Sequence, residues 1–202
     1  MNMVCLDLEG VLVPEIWITF SEETGLPDLR RTTRDEPDYD KLMKFRIDIL
    51  KQNNLRLPDI QKVISTMDPL PGALEFTKKL KERTQLIILS DTFEQFAKPL
   101  MEKLLWPSLF CNSLVYDNEG NITGYTLRQK NGKKTAVKAF KSINLRVFAC
   151  GDAFNDIAMI REAHSGCLFR APQAIRNDFK DIKCYDSYDD LLNEIDNFLT
   201  CQ

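Results

Sequence analysis

Four short apolar runs limit what this chain can fold into: "MVCLDL" (residues 3–8), "QLIILS" (85–90), "RVFACG" (146–151) and "SGCLF" (165–169). Each is rich in Val, Ile, Leu, Phe or Cys and is followed by polar or glycine residues, the mark of a short buried strand. None alternates apolar with polar, so both faces of each strand are expected to be covered, as in a parallel sheet. Helical patterns fall between them at 71–83, 92–104, 134–143 and 155–163. Strands alternating with helices predict an α/β fold with a doubly wound parallel sheet. Ligands bind such sheets at the carboxyl ends of the strands, near a switch in strand order. Asp7, Ser90 and Asp152 stand at those ends. One stretch breaks the alternation: "SLVYDNEGNITGYTL" (113–127) reads as a hairpin with "NEGN" as its turn.

Residues 14–70 do not follow the α/β pattern. They predict helices near 15–24, 38–53 and 58–66 with no convincing strand. The expected organisation is therefore a core of 1–13 and 71–202 with a small helical cap, 14–70, inserted after the first strand. Such a cap would sit over the strand ends like a lid. A net charge of −3 argues against a general nucleic-acid or membrane-surface binder, so an anionic substrate would need cations gathered locally. The six cysteines never form CxxC, and four lie in strand-like runs, which suits small buried side chains in a reducing compartment. No basic-then-apolar leader opens the chain and no apolar run approaches a membrane span, so a soluble cytoplasmic protein is expected.

The polar residues at the strand ends are Asp7 and Glu9 in "DLEG", Ser90 in "LSDT", Lys133 or Lys134 in "NGKKT", and Asp152 with Asp156 in "GDAFND". Each alone has a plain structural explanation. Ser90 reads equally well as a helix N-cap, the lysines as a solvated turn, and the two aspartates as caps of the next helix. Together they are the parts for handling a phosphoryl group with a hard cation: carboxylates for Mg²⁺, and donors and cations for the phosphate oxygens.

In this order the motifs resemble those of the haloacid dehalogenase superfamily of phosphohydrolases, which have a Rossmann-like core. With the helical insertion, the chain looks like the phosphoserine phosphatase branch. It is most similar to the phosphoserine:homoserine phosphotransferase type, which also carries "DLEGVLVPE". It departs from the common superfamily pattern at Glu9, where Asp is usual. The resemblance implies that Asp7 is the nucleophile and forms an aspartyl-phosphate. Glu9 would protonate the leaving alkoxide and then activate the acceptor. Asp7, Asp152 and the Glu9 carbonyl would bind Mg²⁺. Ser90, at a helix N-terminus, would hold phosphate oxygens with Asp91 beside it. Lys133, preferred over Lys134, would neutralise transition-state charge, Asp156 would orient that lysine, and Asn155 would touch substrate. The implied substrates are L-phosphoserine and, as phosphoryl acceptor, water or L-homoserine.

The helix pattern at 38–51 is informative without any family. Tyr39, Leu42, Met43, Phe45, Ile47, Ile49 and Leu50 share a broad face centred on Arg46, while Lys41, Lys44, Asp48 and Lys51 lie opposite. Arg46 either snorkels to water or meets an anion, because an unpaired buried charge is costly. A substrate carboxylate fits its planar fork. Glu15, after Pro14, either complements the dipole of a helix's first turn or, as the resemblance implies, binds the substrate ammonium. His164, the only histidine, is expected to end a helix before a strand, a structural place.

Three rivals are weaker. A receiver domain shares the acid pair, hydroxyl and lysine, but lacks a helical insertion and does not carry its phosphorylated Asp on the first strand. A P-loop needs glycine five residues before Gly132, where Leu127 stands. A catalytically silent binding module would not be expected to keep every reactive residue.

Overall fold

The four apolar runs fold as adjacent parallel strands: β1 (Asn2–Leu6), β2 (Gln85–Phe93), β5 (Arg146–Gly151) and β6 (Ser165–Phe169). The structure is a computed structural model that describes residues 1–32, 35–36 and 38–201. Three further strands, β3 (Ser108–Tyr116), β4 (Ile122–Thr126) and β7 (Cys184–Tyr185), extend the sheet to the order β4-β3-β2-β1-β5-β6-β7. All neighbours are parallel except β3 and β4, which form the expected hairpin. The hairpin pairs Ser113–Tyr116 with Ile122–Thr126, within the expected stretch, while β3 itself starts earlier, at Ser108, where it pairs in parallel with β2.

Alternate residues of each central strand feed two separate cores. Val4, Leu6, Ile88, Phe148 and Cys150 face one, and Met3, Cys5, Leu89, Val147 and Ala149 face the other. The first core is covered by α4 (Ala73–Arg83), α5 (Glu94–Lys103) and α9 (Tyr188–Thr200), the second by α6 (Gly132–Ser142), α7 (Ile157–Glu162) and α8 (Gln173–Asp178). Burial on both faces is why these strands read as unbroken apolar runs. β1 lies between β2 and β5, so the order reverses there and a crevice opens beyond its carboxyl end.

Between β1 and α4 the chain forms α1 (Ile16–Thr24), a 3-10 turn (Pro27–Arg30), α2 (Tyr39–Gln52) and α3 (Leu57–Thr66). It leaves and returns side by side, with Leu70 N–H donating to the Leu12 carbonyl. The α2 face falls as its periodicity requires: Leu42, Met43, Arg46, Ile49 and Leu50 are buried, and Lys41, Lys44, Asp48 and Lys51 are exposed. His164 lies between α7 and β6, where its Nδ1 accepts from Val147 N–H. All six cysteines are free thiols. Among the described residues, no helix is long and apolar enough to cross a membrane.

One expectation needs correction. The sequence predicts Ser90 at the end of a strand, against a helix N-terminus. β2 instead runs on to Phe93, and α5 starts at Glu94 with Phe93 as its N-cap residue. Pairing with β3 slips between Leu89 and Phe93, so Ser90, Asp91 and Thr92 form a bulge. Bulges next to active sites re-aim side chains.

Candidate active site

The site starts where β1 ends. Asp7 N–H still donates to Cys150 O, which fixes Asp7 in the crevice, buried, with its Oδ1 taking Leu8 N–H at 2.7 Å. The chain then turns tightly: Leu12 and Val13 N–H both donate to Leu8 O, and Gly10 N–H donates to Val13 O. Gly10 is required twice over. Its φ is +76°, and a Cβ there would lie 2.4 Å from Asp152 Cγ. Glu9 points from this turn to α1, where Oε2 accepts from Ile16 N–H at 2.9 Å. Glu9 thus does the capping of α1. Glu15 stands at the N-cap, one position before the expected first turn, and makes no capping bond.

The "GDAFND" motif has a similar economy. Asp156 is fully buried, and its Oδ2 accepts from Asp152 and Ala153 N–H. A Cβ on Gly151 would lie 2.2 Å from Asp156 Cγ, so only glycine lets that carboxylate fold back. Asp156 Oδ1 meets Lys133 Nζ at 2.7 Å, and the same Nζ is 2.7 Å from Asp7 Oδ2 and 3.6 Å from Asp91 Oδ2. Because α6 begins at Gly132, Lys133 in its first turn faces inward and is buried while Lys134 is exposed.

From the β2 bulge, Ser90 Oγ accepts from Thr92 N–H at 3.2 Å. Asp91 accepts from Asn155 Nδ2 at 2.7 Å on its side chain and from Asn112 Nδ2 at 3.0 Å on its carbonyl. Thr92 and the buried Asn112 were not singled out from the sequence. A lone Asn inside the apolar run "LFCNSL" was the available signal.

These groups open into a cavity of about 270 Å³ whose other wall comes from the helical insertion: Glu15, Trp17, Ile18, Thr32, Tyr39, Leu42 and Arg46. Arg46 is buried. It donates to Arg31 O at 2.8 Å and lies 4.5 Å over the Trp17 ring, while its Nε has no hydrogen-bond partner among the described residues. No carboxylate forms an ion pair with it among the described residues. Burial pulls its pKa down to about 10.

Electrostatics shows what the site lacks. Burial, with Glu15 nearby, pushes Glu9 up to about 8. Burial, with Asp156 and Glu15, pushes Asp152 up to about 7. Burial and Asp156 also raise Asp7, against the pull of Lys133. Burial alone would lower Lys133, but Asp156, Asp7 and Asp91 hold it well above the usual lysine range. Beside the burial, one ammonium here faces three buried carboxylates, Asp7, Asp152 and Asp156, whose oxygens cluster within 4.8 Å. The excess negative charge and the hard oxygen donors fit a divalent cation such as Mg²⁺. Asp156 is fully buried and takes three donors, whereas Asp7 takes two and Asp152 is the least buried of the three, so a cation would reach Asp7 and Asp152 more readily.

A buried carboxylate at the end of β1, a lysine on α6 and a carboxylate that folds back after β5 thus meet in one crevice of an α/β sheet. The chain belongs to the haloacid dehalogenase-like hydrolase family, whose sequence profile matches residues 1–164. Among its relatives, phosphoserine phosphatase ThrH of Pseudomonas aeruginosa is 52% identical over 194 residues, covering 96% of this chain and 95% of that protein. A phosphoserine phosphatase of Pseudomonas syringae pv. tomato is 51% identical over 193 residues, covering 96% of this chain and 81% of that one. A solved substrate-bound phosphoserine phosphatase complex shares the fold, with a TM-score of 0.76 at 21% identity over 98% of this chain and 97% of the other.

Proposed function

We propose that this protein is a Mg²⁺-dependent phosphoserine phosphatase that also transfers the phosphoryl group to L-homoserine. The observation that carries the substrate is Arg46: a buried guanidinium with an unpartnered Nε, in one cavity with Glu15 and the Asp7–Lys133 pair. A carboxylate on Arg46 and an ammonium on Glu15 select an α-amino acid, leaving its phosphate toward Asp7. The names of the relatives, phosphoserine phosphatases, support the phosphatase part of this reading.

In the first step a carboxylate oxygen of Asp7 attacks phosphorus and the ester P–O bond breaks. Glu9 gives its proton to the departing serine oxygen, a role that suits a carboxyl held protonated near neutral pH. Lys133, Ser90 and the bulge around it hold the phosphoryl oxygens, while Asp156 fixes Lys133 and Asn155 orients Asp91. Mg²⁺, held by Asp7, Asp152 and the Glu9 carbonyl, would offset negative charge on the phosphoryl group. In the second step Glu9 takes a proton from water or from the homoserine hydroxyl as that oxygen attacks phosphorus, and Asp7 is restored. The helices of 14–70 act as a cap that excludes water and so favours an amino-acid acceptor seated on Arg46 and Glu15.

Incubation with L-phosphoserine and Mg²⁺ should release serine. Adding millimolar L-homoserine should yield O-phosphohomoserine and lower the phosphate formed per serine. Equal phosphate and serine at every homoserine concentration would leave a phosphatase only, and no serine at all would remove the reading. Metal binding is checked without turnover: Mg²⁺ should raise Tm by roughly 2–4 °C per kcal/mol of binding linkage. Asp152→Asn should weaken that response.

A further inference from the structure

Tyr188 opens α9, beyond residue 164 where the family profile ends. Its ring stacks on Phe76 of α4 at 4.9 Å and on Phe169 at the end of β6 at 4.8 Å. Its hydroxyl donates to the carbonyl of Val11 at 2.6 Å. Val11 is fully buried and belongs to the turn that carries Glu9 and Gly10.

The other carbonyls that tie this turn down are met by backbone. Leu8 O takes Leu12 and Val13 N–H, Val13 O takes Gly10 N–H, and Leu12 O takes Leu70 N–H. Among the described residues Val11 O is the one closed by a side chain, and that side chain comes from 177 residues away. A buried carbonyl needs a partner, so loss of the hydroxyl would let the turn shift to find one. The Glu9 side chain, carried by the same turn, would move with it.

We infer that Tyr188 is a positioning residue for Glu9, holding the 8–13 turn so that the Glu9 carboxyl meets the leaving oxygen. The inference rests on the reading that Glu9 protonates that oxygen. A tyrosine kept only to fill the stack between Phe76 and Phe169 would have no use for its hydroxyl.

The test compares kcat/KM for L-phosphoserine, whose alkoxide must be protonated, with p-nitrophenyl phosphate, whose nitrophenolate leaves unaided. For both, kcat/KM reports only the steps up to phosphoryl transfer to Asp7. Tyr188→Phe should lose about tenfold on phosphoserine, a part of the roughly 10²–10⁴ that general acid catalysis supplies, and change less than about twofold on p-nitrophenyl phosphate. Glu9→Gln should show the same selectivity, more strongly. Phe76→Leu, which thins the stack but keeps the hydroxyl, should lower Tm and affect both substrates equally. If Glu9→Gln is selective and Tyr188→Phe is not, Tyr188 is only a packing residue and the inference fails. If Glu9→Gln itself shows no selectivity, the acid role of Glu9 falls, and this inference with it.

Discussion

Asp7→Asn should abolish turnover of phosphoserine, by at least about 10⁴-fold, the scale seen when a covalent nucleophile is removed. The substitution is nearly isosteric, so the fold should survive it. Stability is expected to hold or rise, because Asp7 stands among more buried carboxylates than Lys133 can balance. The same relief should help an anionic ligand, so Asp7→Asn should bind phosphoserine at least as tightly as the parent. Three measurements separate catalysis from folding: phosphate release, Tm, and calorimetric binding of phosphoserine. Acid quench of the parent during turnover should trap phosphate on Asp7, identified by peptide mass spectrometry. An Asp7→Asn protein that still releases phosphate within tenfold of the parent rate would rule out the covalent route.

Much of this site can be traced in the sequence because its parts hang on strand ends. Strands buried on both faces announce themselves as apolar runs, and the first polar residue after β1 and after β5 lies in the crevice. That reasoning reaches Asp7 and Asp152. It reaches Arg46 as well, since a charge centred in the apolar stripe of α2 had to be buried when the stripe was. It misplaces Ser90. "SDT" is good capping chemistry, but pairing with β3 carries the strand through it as a bulge. Local propensity lost to a tertiary ladder. Glu9 as the cap of α1 was hidden too, since nothing in "DLEGVLVPEI" shows that a carboxylate seven residues back reaches Ile16 N–H. The choice between Lys133 and Lys134 depends on where α6 starts, because one residue of helix rotates the side chain by about 100°. The contact from Tyr188 to Val11 has no local signature at all.

Arg46 carries the second large effect, and there stability and function are expected to part. A buried guanidinium is costly unless it is paired, and this one has a backbone carbonyl, the Trp17 ring and a weak contact to Met43 Sδ, with Nε left over. Its pKa, drawn down to about 10, records the same unmet charge. Arg46→Met keeps the length and apolar stem and removes the charge. Arg31, whose carbonyl loses its donor, is exposed, so water can replace the bond. Tm should therefore stay within a few degrees of the parent or rise. Activity should not survive as well: kcat/KM for phosphoserine should fall by roughly 10²-fold, the loss of a charged hydrogen bond of about 2–3 kcal/mol. p-Nitrophenyl phosphate, which has no carboxylate to place, should be turned over almost as before. On the proposed reading, the charge is kept at a cost in stability for a partner that arrives with the substrate. If Arg46→Met instead lowers Tm sharply and slows both substrates alike, the guanidinium holds α1 and α2 together, and the carboxylate of the substrate must be bound elsewhere.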